Sequence, residues 1–248
     1  MMSTTQNIIA HLIELRKRLL YSVVSLLLVF VCLFPWASDL YAMLAQPLLA
    51  KLPQGGQMIA TDVTTPFFVP VKVALMTAFL ISLPYILFQI WSFVAPGLYS
   101  HEKRWVVPLV VASLFLFLSG MTFAYFAVFP MVFGFITASA PEGVAVMTDI
   151  DKYLSFVMSM FLAFGFTFQV PVAVVAMVKM GFVSVAKLRE IRRYVIVGAF
   201  IAGAILTPPD VVSQFMLAIP LWLLYEAGIW VAIWITKVTP EDRVAKAE

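Results

Sequence analysis

Between Val106 and Phe129 the chain runs through 24 residues without one charged side chain. Wound as an α-helix, such a run measures roughly 36 Å, enough to cross a hydrocarbon core of about 30 Å. In water it would need cover on every side. The rest of the chain cannot supply that cover, because 63% of its 248 residues are apolar and only 12% are charged. That charged share is about half of what a soluble domain carries, and a chain of this size must turn much of its surface to water. Lipid is therefore the solvent. The same composition excludes intrinsic disorder, and an aromatic share of 15% suits a bilayer protein. Cys32 is the single cysteine, so no intramolecular disulfide can form.

Five further runs resemble the first. The expectation is an all-α, polytopic membrane protein whose residues 1–248 form a single integral membrane domain. Its six spans fall at about 19–36, 73–93, 106–129, 153–178, 193–207 and 215–235. The fifth is short, so it either begins back near Arg192 or sits in a thinned bilayer. Of the 16 Lys and Arg residues, all but Lys51, Lys72 and Lys152 fall in segments 1–18, 94–105, 179–194 and 236–248. By the positive-inside rule both termini are cytoplasmic. This bias explains the basic surplus without nucleic-acid binding. The run after Arg16-Lys17-Arg18 has no small-x-small cleavage pattern and reads as a retained anchor. The two halves of the chain show no repeat, which weakens an inverted-repeat transporter reading.

The polar residues are few enough to weigh one by one. Ile8–Leu19 is amphipathic, with Ile8, Leu12, Leu15 and Leu19 on one face. Glu14 faces the other way, with Lys17 at i+3 and Arg18 at i+4, where ion pairs form. It is either a cytoplasmic helix offering Glu14 to a partner or a membrane-surface helix with solvated charges. The loop Ala37–Pro70 is long enough for structure of its own. A short helix is expected at Leu40–Leu44, with Pro47 close after its end. His101 and Glu102 lie in a short, turn-rich inner loop. Pro84, Pro108, Pro171 and Pro220 interrupt spans and can kink them. Gln89, Gln169 and Glu226 lie at membrane depth, where polar groups are costly. Glu226 stands twelve residues beyond Gln214, roughly 18 Å along a helix. It either snorkels or serves a function, and Gln169 is suited to an interhelical hydrogen bond. Thr207 and Gln214 flank a turn too short to bury them, so they are expected to face lipid or a neighbouring helix. No metal-ligand spacing, nucleophile elbow, P-loop or dinucleotide fingerprint occurs, so neither an enzyme nor a resident cofactor or metal is expected.

Taken together, several strings are specific. They are His11-Leu-Ile-Glu-Leu-Arg-Lys-Arg-Leu19, Phe93-Val-Ala-Pro-Gly-Leu-Tyr-Ser-His-Glu-Lys-Arg104, Phe164-Gly-Phe-Thr-Phe-Gln-Val-Pro171, Arg193-Tyr-Val-Ile-Val-Gly-Ala-Phe200 and Leu206-Thr-Pro-Pro-Asp-Val-Val-Ser-Gln214. With six spans, the chain closely resembles the TatC family, the signal-receptor subunits of the bacterial twin-arginine translocase, from about Ile8 to Ile229. The resemblance implies a cupped helical bundle in the inner membrane that exports folded proteins on the proton-motive force. It implies twin-arginine signal peptides, the single-span subunits TatA and TatB, and further copies of the chain as partners. It assigns signal binding to Glu14, Arg16, Lys17, Phe93 and Glu102, and partner binding to Thr207 and Gln214. Pro47, Asp62 and Asp210 match other positions important to the family. Two departures stand out. Relatives often carry Glu where this chain has Gln169, so a hydrogen-bonding role survives there but a protonation role does not. Ser100 stands where some relatives have Lys.

The chemistry of Glu14 and Glu102 fits that reading, since carboxylates pair side-on with guanidinium groups. Three other classes fit less well. A secondary transporter needs a midplane site, for which Gln169 beside Pro171 is the best candidate. A channel needs a polar stripe, and an intramembrane enzyme needs paired catalytic groups.

Overall fold

The computed structural model describes residues 2–49, 58–94, 106–138, 148–206 and 211–238. Almost all of them are helical, as lipid demands of a backbone that must satisfy its own hydrogen bonds. In chain order the elements are α1 (Met2–Leu33), a 3₁₀ turn (Phe34–Trp36), α2 (Ala37–Leu49), β1 (Met58–Ile59), α3 (Thr65–Val94) and α4 (Val106–Phe123). A π-helical turn (Ala124–Val128) leads into α5 (Phe129–Ala138), followed by β2 (Thr148–Asp149), α6 (Ile150–Thr167), α7 (Val170–Lys179), α8 (Val185–Leu206) and α9 (Val211–Val238).

Five helical stretches among the described residues are long and apolar enough to cross a membrane: Ile9–Leu44, Thr65–Val94, Val106–Gly134, Ile150–Lys179 and Ser213–Ile235. The remaining expected span, 193–207, falls in α8. That helix opens on the charged stretch Lys187–Arg193, and only Val195–Leu206 is apolar throughout. Twelve residues measure roughly 18 Å, short of the hydrocarbon core.

The prolines act unequally. Pro70, Pro84 and Pro220 lie inside continuous helices, and Pro108 falls in the first turn of α4, where few amide bonds are lost. Pro47 corrects the expectation, because α2 spans Ala37–Leu49 and contains it. Its fixed φ is helical, and this near a helix end only a single backbone bond is given up. Of the four prolines expected to interrupt spans, Pro171 alone coincides with a break, between α6 and α7. There the Gln169 amide turns back to the Phe166 carbonyl, so the Gly165 carbonyl leaves the regular ladder. The Gln169 side chain donates to that carbonyl from Nε2 at 3.5 Å.

The chain divides into two compact units. The first comprises 1–114 and 140–158. Its core holds Val69, Val73 and Leu154, with Leu40, Tyr41 and Leu44 from α2 and Tyr153 from α6 packed against them. Lys72 Nζ donates to Asp151 Oδ1 at 2.6 Å and to Ser155 Oγ at 3.3 Å. A short parallel pairing, Met58 with Thr148 and Ile59 with Asp149, joins β1 to β2. Asp149 completes the clip. Its Oδ1 caps α6 by accepting the amides of Asp151 and Lys152, at 2.9 and 3.0 Å. Its Oδ2 accepts the Thr61 amide at 3.1 Å and the Thr61 hydroxyl.

The Thr61 hydroxyl is the main cause that holds the Asp149 carboxyl down to about 2, with the cap amides adding to it. A depressed acid stabilises the fold fully above its ordinary value of 3.8 and loses that contribution as pH falls through about 2. The clip is therefore intact at any physiological pH. Thr61→Val is expected to raise the Asp149 titration toward 3.8, followed by carboxyl-selective NMR. An unchanged midpoint would refute the role given to the hydroxyl.

The second unit comprises 115–139 and 159–248. Two glycines permit close helix approach in it. A Cβ on Gly120 would meet the Phe164 carbonyl oxygen at 2.5 Å, and one on Gly165 would strike the Phe117 ring at 2.5 Å. Around them Phe117 meets Phe166 edge-on at 5.6 Å, and Phe123 tilts against Phe164 and Phe168. α7 ends in a left-handed Gly181, φ 72°. The Phe182 amide returns to the Met177 carbonyl and the Gly181 amide to the Val178 carbonyl, a Schellman closure. Ser184 then caps α8 through the Lys187 amide at 3.2 Å. This turn leads the chain from α7 into α8, and α7, α8 and α9 pack around Val174, Leu188, Tyr225 and Ile229.

Candidate functional site

In the first unit, α1 packs on α3 and brings together residues far apart in sequence. The interaction begins locally. Arg18 pairs with Glu14 one turn back, as the i,i+4 spacing allows. Its Nε and Nη2 both donate to Glu14 Oε1, at 2.9 and 2.6 Å. Its third nitrogen, Nη1, reaches across to Gln89 Oε1 on α3 at 3.3 Å. Gln89 is a buried amide on a mostly apolar helix, and this guanidinium satisfies its oxygen. One turn before Glu14, His11 stacks flat on Phe93, with ring centroids 4.3 Å apart and 15° between the planes. Carboxylate, guanidinium, amide and stacked rings thus form one station on the α1–α3 surface.

Glu14 and Phe93 therefore share this station, linked through His11. Arg16 and Lys17 are exposed on α1 and lie outside the Arg18 network among the described residues. Lys17 instead lays its ammonium 5.7 Å from the Tyr21 ring. Glu102 falls outside the described residues, as do Thr207 and Asp210. Pro47 lies within α2. Asp62 is exposed beside the Thr61–Asp149 clip, and its carbonyl accepts the Thr65 amide at the start of α3. His11 and Gln89 are the residues that sequence reasoning left without a role here. Both follow from the α1–α3 register, which local spacing does not specify.

In the second unit a charge pair spans the α8–α9 hairpin. Arg192 Nη2 donates to Glu226 Oε2 at 2.8 Å, and Arg192 Nε closes the pair on Oε1. One position earlier, the Tyr225 hydroxyl donates to the Leu188 carbonyl at 2.8 Å. Glu226 neither snorkels nor stands alone. The sequence offered a signal for this partner, because Arg192 precedes the segment 207–210 by about as many residues as Glu226 follows it. Near the start of α9, Gln214 points toward α8, the second of the two surroundings expected for it, a neighbouring helix rather than lipid. Its Nε2 donates to the Phe200 carbonyl at 2.9 Å, and Gly203 leaves room for its side chain. A part-buried carbonyl on α8 was the cheaper partner, since it satisfies the Gln214 donor within the protein.

The chemistry is that of recognition: one accessible carboxylate at an aromatic border, and a partly exposed charge pair across α8 and α9. The comparisons with known proteins agree with it. The family model described as TatC, Sec-independent protein translocase protein, matches residues 10–220. The TatC protein of Escherichia coli (strain K12) is 55% identical over 226 residues, covering 91% of this chain and 88% of that one. That of Haemophilus influenzae is 51% identical over 228 residues, 92% of this chain and 89% of that one. That of Aquifex aeolicus is 37% identical over 237 residues, 95% of this chain and 98% of that one. A crystal structure described as the twin arginine translocase receptor TatC superposes with a TM-score of 0.81 at 38% identity, covering 91% of this chain and 99% of that one. With its membrane-spanning helices and a family match over most of its length, this chain belongs to the TatC family of Sec-independent protein translocase proteins.

Proposed function

We propose that this chain is the receptor for twin-arginine signal peptides in a translocase that moves folded proteins across the bacterial inner membrane. Family membership makes it a translocase component rather than an enzyme. The observation that carries the receptor reading is the α1–α3 station. Glu14 presents a carboxylate whose side chain is 35% exposed, and the His11–Phe93 stack borders it with apolar surface. A signal that joins two guanidinium groups to an apolar segment matches both parts. Glu102 supplies the second carboxylate, and Arg16 and Lys17 flank the site. Both termini and this station face the cytoplasm, on the strength of the basic bias. The proton-motive force drives transport, and Pro47, Asp62, Gln169, Asp210 and Glu226 support it.

The test is equilibrium binding of a fluorescent signal peptide to the detergent-solubilised chain. A peptide with paired arginines should bind well above one with paired lysines, since an ammonium cannot form the side-on pair. Equal affinities would remove the reading.

TatA- and TatB-type single-span subunits dock on the α8–α9 hairpin, and further copies of the chain complete the assembly. Thr207 and Gln214 form the polar part of that surface, with the Gln214 amide oxygen as acceptor for a partner's polar group. A photo-cross-linker at Gln214 should capture a small single-span protein in native membranes. Capture of lipid or of a second copy alone would overturn this assignment.

A further inference from the structure

We propose that Arg18 is an internal stand-in for the signal's arginine: it occupies Glu14 in this structure and must yield it, held by Gln89, when a signal binds. The inference rests on the receptor reading above. Both Arg18 donors converge on one carboxylate oxygen, Glu14 Oε1, at 2.9 and 2.6 Å. An oxygen of this kind has two acceptor sites, so Oε1 is filled. A side-on guanidinium pair needs one donor on each carboxylate oxygen. An incoming arginine therefore cannot close a side-on fork across both oxygens of Glu14 while Arg18 keeps Oε1; only Oε2 is open to it. Arg18 sits four residues away on the same helix and competes at every moment.

The exchange is accessible. The Arg18 and Glu14 side chains are 24% and 35% exposed, so neither is locked in the interior. The displaced guanidinium also has somewhere to stay, because its Nη1 already contacts Gln89 Oε1 at 3.3 Å. Arg18 can release Oε1 and still keep one hydrogen bond, to the neutral Gln89 amide. Gln89 thus lowers the cost of opening the site, and Arg18 sets the affinity below what a bare Glu14 would give.

The experiment measures the affinity of a fluorescent synthetic peptide, two consecutive arginines followed by an apolar stretch, for the full-length solubilised chain. Arg18→Gln should tighten binding by about two- to fivefold, the scale of a partly exposed i,i+4 ion pair. Arg18→Lys keeps the cation but loses the double grip on Oε1, and should tighten binding less. In a Glu14→Gln background, Arg18→Gln should change nothing. Gln89→Leu should weaken binding with Arg18 present and have no effect in the Arg18→Gln background. Weaker or unchanged binding by Arg18→Gln and Arg18→Lys would overturn the stand-in and make Arg18 a positioning residue. Tightening that persists in the Glu14→Gln background would reduce the effect to general charge and also overturn it. If Glu14→Gln by itself binds the peptide as tightly as the parent, the receptor reading fails instead, and the two failures are told apart.

Discussion

Glu14→Gln is expected to weaken binding of a twin-arginine peptide by roughly 10- to 150-fold. The estimate follows from one charge-assisted hydrogen-bonded contact, about 1.5–3 kcal/mol when partly desolvated, with 1.4 kcal/mol per tenfold. Glutamine keeps the size and one acceptor oxygen but loses the charge and the second acceptor. The α1–α3 packing should survive, because Arg18 retains Gln89 Oε1 and His11 retains Phe93. Circular dichroism and thermal melting of the variant should therefore match the parent while affinity falls. Part of the loss should fade as salt rises, since the pair lies at a partly exposed surface. Glu102→Gln is expected to lose a similar factor, and Glu102→Arg more, because repulsion is added. Affinities equal to the parent in both Glu→Gln variants would leave recognition to the apolar part of the signal.

What the sequence discloses and what it conceals follow from the range of each interaction. Apolar runs announce the membrane helices, because lipid demands about 20 residues of them in a row. Glu14 with Arg18 is legible for a similar reason, the helical repeat being local. Gln89 and Phe93 are not. They meet Arg18 and His11 through the rotation and register of α3 against α1, and α3 spreads its apolar residues over most of its circumference, so its sequence marks no single face for packing. The β1–β2 pairing hides for another reason. Two residues a side carry no periodicity, and what holds the pairing is Asp149, whose aspartate reads equally well as an ordinary helix cap. Proline misleads in the opposite direction. Its presence at 47, 70, 84 and 220 marks no break, while at 171 it does. There Gln169 stands two residues earlier, and its side-chain amide meets a carbonyl that the break frees.

The α8–α9 charge pair is the second place where a single substitution should be felt strongly. Glu226→Leu is expected to lower the melting temperature of the solubilised protein, because it leaves Arg192 facing an apolar helix without its counter-charge. Breaking a fully buried pair costs about 3–5 kcal/mol. Arg192 is 44% exposed and Glu226 19%, so solvent screening reduces the figure to about 1–2 kcal/mol. For a chain of this length that corresponds to roughly 2–8 °C. Arg192→Leu should cost at least as much, since it strands the more buried of the two charges. Glu226→Gln should cost less than either, as its amide oxygen can still accept from Arg192 Nη2. The double variant, Arg192→Leu with Glu226→Leu, decides the matter. Two leucines remove both charges together and restore apolar contact along a hairpin that Tyr225 continues to hold through the Leu188 carbonyl. It should melt above either single leucine variant. If instead the two losses simply add, the groups act independently, and the fixed geometry of the hairpin must be credited to the Tyr225 bond and the apolar core around Val174 and Ile229.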